Sequence, residues 1–382
     1  MEPLGRSQIL PYLLDLSEEF KIIIISSEKE EDLLNSEKLM ILQEHINQKG
    51  IIWNYSKFNY GKFDILYSSL RYLIKGFFYC VRYKVSIIHC RSYLPNFLGV
   101  LLKLLTGRFL VFDMRGLWPE EIALGLPRGK KSYIYKILLL LEKLNIYSSD
   151  SIISLTTAAK FFLINQYKIN QNRINVIPTC VDLSRFNHSE MPNLKVKKFS
   201  CIGTVISDWF LLDWLIKFFE CVNEFDSNAE FEIITKDDEK RIYFNLKNNK
   251  NISEKINIKK AAPEEIPELL KNHSASAMFF NPGISKLGSS PTRFGEILAT
   301  GRPIICNSGV GDLNKIIKVN KVGIIVKDKS KSAMQKAVKE LYELISDNET
   351  SSRCRNLAES FYSLASGSKK YSMIYKSLID PN

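Results

Sequence analysis

The sequence predicts an α/β protein of two Rossmann-like halves, each a parallel sheet flanked by helices. Three observations predict it. The chain has 382 residues, a length that suits two domains of roughly 150–200 residues better than one core. Short apolar runs alternate with longer helical patterns along both halves, the signature of βα units. A polar, proline-containing stretch at 187–198 ends one such series just before another opens.

In the first half, KIIIIS at 21–26 reads as a buried strand, 30–49 as a helix and 50–55 as a second strand. Further strands are expected at 85–89, 109–113, 151–155 and 174–177, with helices at 66–81, 94–105 and 129–149 between them. In the second half the strands are 199–202, 230–235, 276–281 and 303–306, and the helices 208–225, 263–272 and 293–299. The expected domains are 1–187, 188–364 and a terminal helix, 365–382. The opening MEPLGRSQILPYLLDL resembles the loop and helix that follow a first strand, so that strand is expected to be missing from this reading frame.

The charge balance, 53 basic against 41 acidic residues, gives a net charge of +12, which favours acidic partners. The basic residues are scattered among acids, which argues against nucleic acid. Seven cysteines without a CxxC pair describe no disulfide framework and point to a reducing cytosol. The four histidines lack a second ligand at metal-site spacing, so no metal is expected. No secretory signal is visible, and no apolar run reaches the roughly 20 residues of a membrane span.

The sharpest motif is SKLGSSPTRFGEILATGRPIICNSGVGD, 285–312. A glycine and serine loop enters a helix, followed by a buried strand and a second glycine-rich loop. Pro291 suits the first helical turn and Ser289 or Ser290 the cap. The free amides of Thr292 and Arg293, with the Arg293 guanidinium, form a cradle for a diphosphate, and Glu296 is placed to accept from ribose hydroxyls. A serine-capped helix with a surface arginine and a dipole-placed acid is the plainer alternative.

The block resembles the donor-site signature of retaining GT-B glycosyltransferases (group 1, family 4-like) that build bacterial surface polysaccharides, two Rossmann-like domains facing a cleft with a C-terminal helix crossing back. NVIPTCVDLSRF is similar to the family's interdomain segment, CIGT to its first C-terminal strand and turn, PEEIPELL to its nucleotide-side helix, and SLASGSKKYSMIYKSL to its terminal helices. The resemblance implies that Arg293 and Glu296 hold diphosphate and ribose, with Gly203, Ser290, Thr292 and the backbone at Gly288 completing the phosphate site. Gly288 stands where relatives often carry an acid that touches the donor sugar. The usual basic pair after the glycine turn is absent, with Lys236 as a substitute.

In the first half, Gly5 and Arg6, His89 and Arg91, and Asp113 and Arg115 end or follow expected strands and are candidates for binding the acceptor or donor phosphate. His89 alone is more often a packed histidine, and Asp113 with Arg115 also fits a surface ion pair. The helix at 66–84, with aromatics and Arg71, Lys75, Arg82 and Lys84, fits either an anionic membrane or a solvated face. The function implied is metal-independent transfer of a sugar, without a bound cofactor, from a nucleotide-sugar co-substrate to a glycan or lipid-linked acceptor, in the cytoplasm or peripherally on the membrane's inner face. Arg293, Glu296, Asp113 and His89 are the candidate catalytic residues. The alternatives are a catalytically weak nucleotide-sugar-binding homologue and a nucleotide-sugar epimerase.

Overall fold

In the computed structural model, which describes residues 5, 8–34, 36–58, 61–192, 196–247 and 249–380, the chain divides into two units. The first comprises Met1–Pro178 and Leu364–Asn382, the second Thr179–Ser363. The boundary lies before residue 187, where the polar stretch had placed it. Val181 donates its amide to Tyr362 at 2.7 Å, and Phe186 is buried among Phe294, Ile297 and Leu298, so 179–187 belong to the second core.

The first unit runs α1 (Leu10–Leu16), β1 (Ile23–Glu28), α2 (Glu30–Leu34), α3 (Ser36–Gln48), β2 (Ile52–Lys57), α4 (Lys62–Arg82), β3 (Ile87–Arg91) and α5 (Tyr93–Thr106). It continues with β4 (Phe109–Asp113), α6 (Trp118–Gly125), α7 (Tyr133–Ser148), β5 (Ser151–Ser154), α8 (Thr157–Tyr167) and β6 (Ile174–Val176). The expected helix at 30–49 is helical over Glu30–Leu34 and Ser36–Gln48, and that at 129–149 opens with a separate 3₁₀ turn, Gly129–Lys131. Ser132 caps α7 by accepting from the Ile134 amide, and Thr156 caps α8 by accepting from that of Ala159. Gly107 ends α5 at φ 68°, a left-handed residue that only glycine adopts cheaply.

The strands of this unit form two parallel sheets, β1-β2 and β3-β4-β5-β6. Val111, Phe112 and Ile152, fully buried, fill the middle of the second sheet. Near-continuous burial is what a parallel sheet covered on both faces demands.

The second unit runs β7 (Lys198–Ile202), α9 (Leu212–Phe225), β8 (Glu230–Ile234), α10 (Glu239–Leu246), α11 (Lys250–Ser253), β9 (Ile256–Lys259), α12 (Ile266–Lys271) and β10 (Ala275–Met278). Then follow α13 (Ile284–Leu287), α14 (Thr292–Ala299), β11 (Ile304–Asn307), α15 (Leu313–Asn320), β12 (Gly323–Val326), α16 (Lys331–Ser346) and α17 (Thr350–Leu357). Its sheet is continuous and parallel, in the order β12-β11-β10-β7-β8-β9. Helix α9 presents Leu215, Phe218, Phe219 and Val222 at helical spacing to Phe199 and Phe231 of the sheet. Each such buried side chain contributes about 1.5–3 kcal/mol. The last helix, α18 (Leu364–Ile379), belongs to the first unit, where it packs on α1 and β3.

Candidate active site

The strand order of the second unit reverses between β7 and β10. In open α/β sheets, ligands lie at the carboxyl ends of the strands at such a switch point. Gly203 ends β7 there at φ 126°, and its amide donates to Ile234 at 2.9 Å. The loops after β7 and β10 are tied together, the Leu211 amide to Phe279 at 3.0 Å and that of Asn281 to Trp209 at 2.9 Å. Asn307, at the end of β11, accepts from the Phe280 amide and donates to its carbonyl, both at 2.8 Å.

Helix α14 starts beyond these loops. Pro291 is its N-cap and no side chain caps it, whereas the sequence put Pro291 inside the helix and a serine at the cap. The Ser290 hydroxyl accepts instead from the Thr179 amide at 3.2 Å, because that segment runs through the same core. Arg293 and Glu296 form an ion pair one turn apart, Arg293 about one-third exposed and Glu296 mostly covered. The diphosphate and ribose candidates thus support each other on one helix face. Gly295, between them, fits because a Cβ there would come within 2.8 Å of Val181.

Gly288 is a buried turn residue at the end of α13, and Lys236 is exposed beyond β8. Beside it stands a residue the sequence reading passed over. The Asp237 carboxylate accepts from the amides of Val205 at 2.6 Å and Ile206 at 2.9 Å, filling two donors of the turn after Gly203. Arg302, read only as part of a turn, is fully buried. Its guanidinium donates to Ser189, Glu190 and Lys271, and burial lowers its pKa to about 10, which leaves it charged near neutrality. It is a staple of the fold rather than part of the site.

The first unit gathers a different cluster at the ends of β3 and β4. Asp113, 2% exposed, lies 3.8 Å from Arg91, 3.8 Å from Arg115 and 4.0 Å from His89. Tyr371 of α18 donates to its Oδ2 at 3.2 Å, while Oδ1 accepts no hydrogen bond from the described residues. His89 Nδ1 pairs with the Tyr375 hydroxyl; burial holds the imidazole below its ordinary pKa, against the pull of Asp113 and with the help of both arginines. Gln8 accepts from Arg91 and Arg115 at 3.3 Å each through its side chain. Arg115 sits at φ 64°, a conformation costly for a residue with a Cβ.

The sequence pointed to His89, Arg91, Asp113 and Arg115, and the structure brings all four together. It missed Tyr371 and Tyr375. The i, i+4 spacing of the two tyrosines was the available signal for a shared face. Gly5 is a buried helical residue preceding α1, and Arg6 lies outside the described residues. The loop after β4 is steadied by Tyr93, which donates to the Gly116 carbonyl at 3.0 Å and contacts the buried Glu142 at 2.7 Å.

Two family models match the chain: Glycosyltransferase Family 4 over residues 17–185, and Glycosyl transferases group 1 over residues 210–361. The chain is a glycosyltransferase, with a family 4 domain in its first half and a group 1 domain in its second. No curated protein matches its sequence. Among solved structures the glycosyltransferase is similar to one from Rickettsia africae, at 16% identity and a TM-score of 0.64 over 95% of this chain and 100% of that one. It is also similar to Anabaena HepE in complex with UDP, at 12% identity and a TM-score of 0.68 over 94% and 100%. The lipopolysaccharide outer core galactosyltransferase WaaB matches at 11% identity and a TM-score of 0.65 over 94% and 99%. At these identities the likeness is one of fold, and the fold is GT-B. Among the described residues no group of three or more acidic, histidine or cysteine side chains is placed to hold a metal, and all seven cysteines are free.

Proposed function

We propose that the glycosyltransferase takes a sugar, of the hexosyl class, from a nucleoside-diphosphate sugar bound by its second unit. It passes that sugar to a glycan or lipid-linked acceptor bound by its first unit, in assembly of a cell-envelope polysaccharide at the cytoplasmic face of the membrane. The observation that carries this reading is the start of α14 beside the β7/β10 switch point, where backbone amides and the Arg293 guanidinium offer charge-assisted donors to a diphosphate. The UDP bound by HepE supports a nucleoside diphosphate, and the activity of WaaB supports an envelope acceptor.

In the reaction proposed, the bond from the anomeric carbon to the diphosphate breaks and a bond to the acceptor oxygen forms on the same face, with retention. The acceptor proton passes to an oxygen of the leaving diphosphate, so no protein base is required, and direct attack on the leaving group's own face requires no protein nucleophile. Arg293 and the helix amides offset the charge gathering on that leaving group. Asp113, His89, Arg91 and Arg115 position the acceptor. The charge that a metal would neutralise falls to Arg293 and the helix, so transfer is metal-independent.

Titration calorimetry with UDP, GDP, ADP and CMP in the presence of a chelator tests the donor site. One diphosphate should bind, and Arg293→Ala should weaken it by about 1.5–3 kcal/mol. Unchanged affinity in that variant would remove Arg293 from the site.

A further inference from the structure

Helix α7 has two apolar faces. Tyr135, Leu138 and Ile146 pack inward, as an α/β layer requires. Tyr133, Ile134, Ile137, Leu140 and Leu144 recur at helical spacing on the opposite side, with Ile137 63% and Leu140 67% exposed. Helix α4 repeats the arrangement. Leu66, Leu70, Ile74, Phe78 and Val81 form a stripe that faces outward, with Ile74 61% exposed. Between them α5 exposes Leu104 and Leu105.

These helices are neighbours. The crossovers β3–α5–β4 and β4–α7–β5 join adjacent parallel strands running in one direction across the sheet, and right-handed crossovers put both helices on one face. Helix α5 packs on α4 through Leu102, the side chain nearest Gly76, and on α7 through Asn145, which donates to the Tyr93 carbonyl at 3.0 Å. The result is one broad apolar face where a water-exposed helix normally turns polar side chains outward.

Charge decides what covers it. From 128 to 148 the only acid is Glu142, which is buried, and with Lys130 paired to Glu120 at 2.6 Å the stretch still carries Arg128, Lys131, Lys136 and Lys143. Helix α4 adds Arg71 and Arg82, with Asp64 at its start, whereas its Lys75 turns inward to Asn54 at 2.6 Å and Lys103 of α5 is paired with Asp150 at 2.7 Å. A second copy of this face would repel the first. A surface that is apolar and positive together matches an anionic bilayer, whose headgroups attract the lysines while the apolar stripe enters the acyl boundary.

We infer that the outer faces of α4, α5 and α7 form one docking surface for an anionic membrane, with α7 lying in the interface. For its purpose, carrying the acceptor site to a lipid-linked substrate, the inference rests on the function proposed above.

The test is co-sedimentation of the full chain with phosphatidylcholine vesicles, with and without phosphatidylglycerol, at low and high salt. Wild type should bind only the anionic vesicles, and less at high salt. Ile137→Glu with Leu140→Glu should lower partitioning by about tenfold or more, and Lys136→Glu with Lys143→Glu should do so at low salt. Leu104→Glu, on a different helix, gives the same readout if the α7 variant does not fold by circular dichroism. Wild type that ignores anionic vesicles, or folded variants that bind them equally well, would overturn the inference. So would a wild-type dimer that α7 substitution converts to monomer without any vesicle binding. Nucleotide titration of the same variants keeps the two readings apart: vesicle binding without nucleotide binding sinks the proposed donor and leaves the docking surface standing.

Discussion

The two units solve the same architectural problem differently. In the second, the first strand, β7, lies at the centre of a continuous six-stranded sheet, between β10 and β8. In the first, β1 and β2 play the parts of β8 and β9, and β3 that of β10, yet no described strand joins β1 to β3. The buried charges differ as well. Those of the second unit are held at hydrogen-bond distance, Arg302 by loop carbonyls, with its Nε alone unmatched among the described residues, and Glu232 by His273 at 2.8 Å and Lys259 at 2.8 Å. Those of the first unit, around Asp113, stand 3.8–4.0 Å apart. Closed networks hold a fold together, whereas a buried carboxylate short of partners marks a place built for something else.

The largest effect expected is that of Arg302→Ala. It would leave carbonyls of 189–190 and Lys271 without their donor in the core and cost about 3–5 kcal/mol in chemical denaturation. A loss below roughly 1 kcal/mol would break the contrast between staple and site.

Asp113→Asn should behave in the opposite way. It removes the charge between two arginines, so transfer should fall by about a hundredfold or more, while nucleotide affinity stays as in wild type. Loss of folding without a specific loss of transfer would make Asp113 another staple.

Glu232 supplies the pH dependence of the second unit. Burial opposes its ionisation, but the hydrogen bonds from His273 and Lys259 prevail and hold its pKa below the ordinary 4.5. A carboxylate with a lowered folded pKa stabilises above its unfolded value, and that stability is lost as pH falls below about 4.5. Thermal denaturation should show Tm dropping below that pH in wild type, and less steeply in Glu232→Gln. Equal slopes would place the acid lability elsewhere.

The smallest effect is on exchange. Amides of β3 not engaged by β4 should exchange roughly tenfold faster than those of β7, which has strands on both sides. Equal protection by hydrogen exchange mass spectrometry would show that the edge of β3 left unpaired among the described strands is covered.

Much of the site was legible where local physics produced it. Strand ends in an α/β pattern expose the residues that follow them, so His89, Asp113 and Arg115 stood out, as did the glycine and proline punctuation around α14. The Arg293–Glu296 pair is a spacing of three and follows from helical geometry alone. The cap of α14 was misread because Ser290 is engaged by Thr179, a residue 111 positions away.

The sequence by itself determined the α/β alternation, the parallel sheets and the signature helix, because periodicity and turn chemistry act within a few residues. Only the tertiary structure decided that Asp237 fills the turn after Gly203, that Tyr371 and Tyr375 return to Asp113 and His89, and that α7 turns a second apolar face to solvent. Those pairings join residues far apart in the chain, and what a side chain meets after folding is set by which elements pack together.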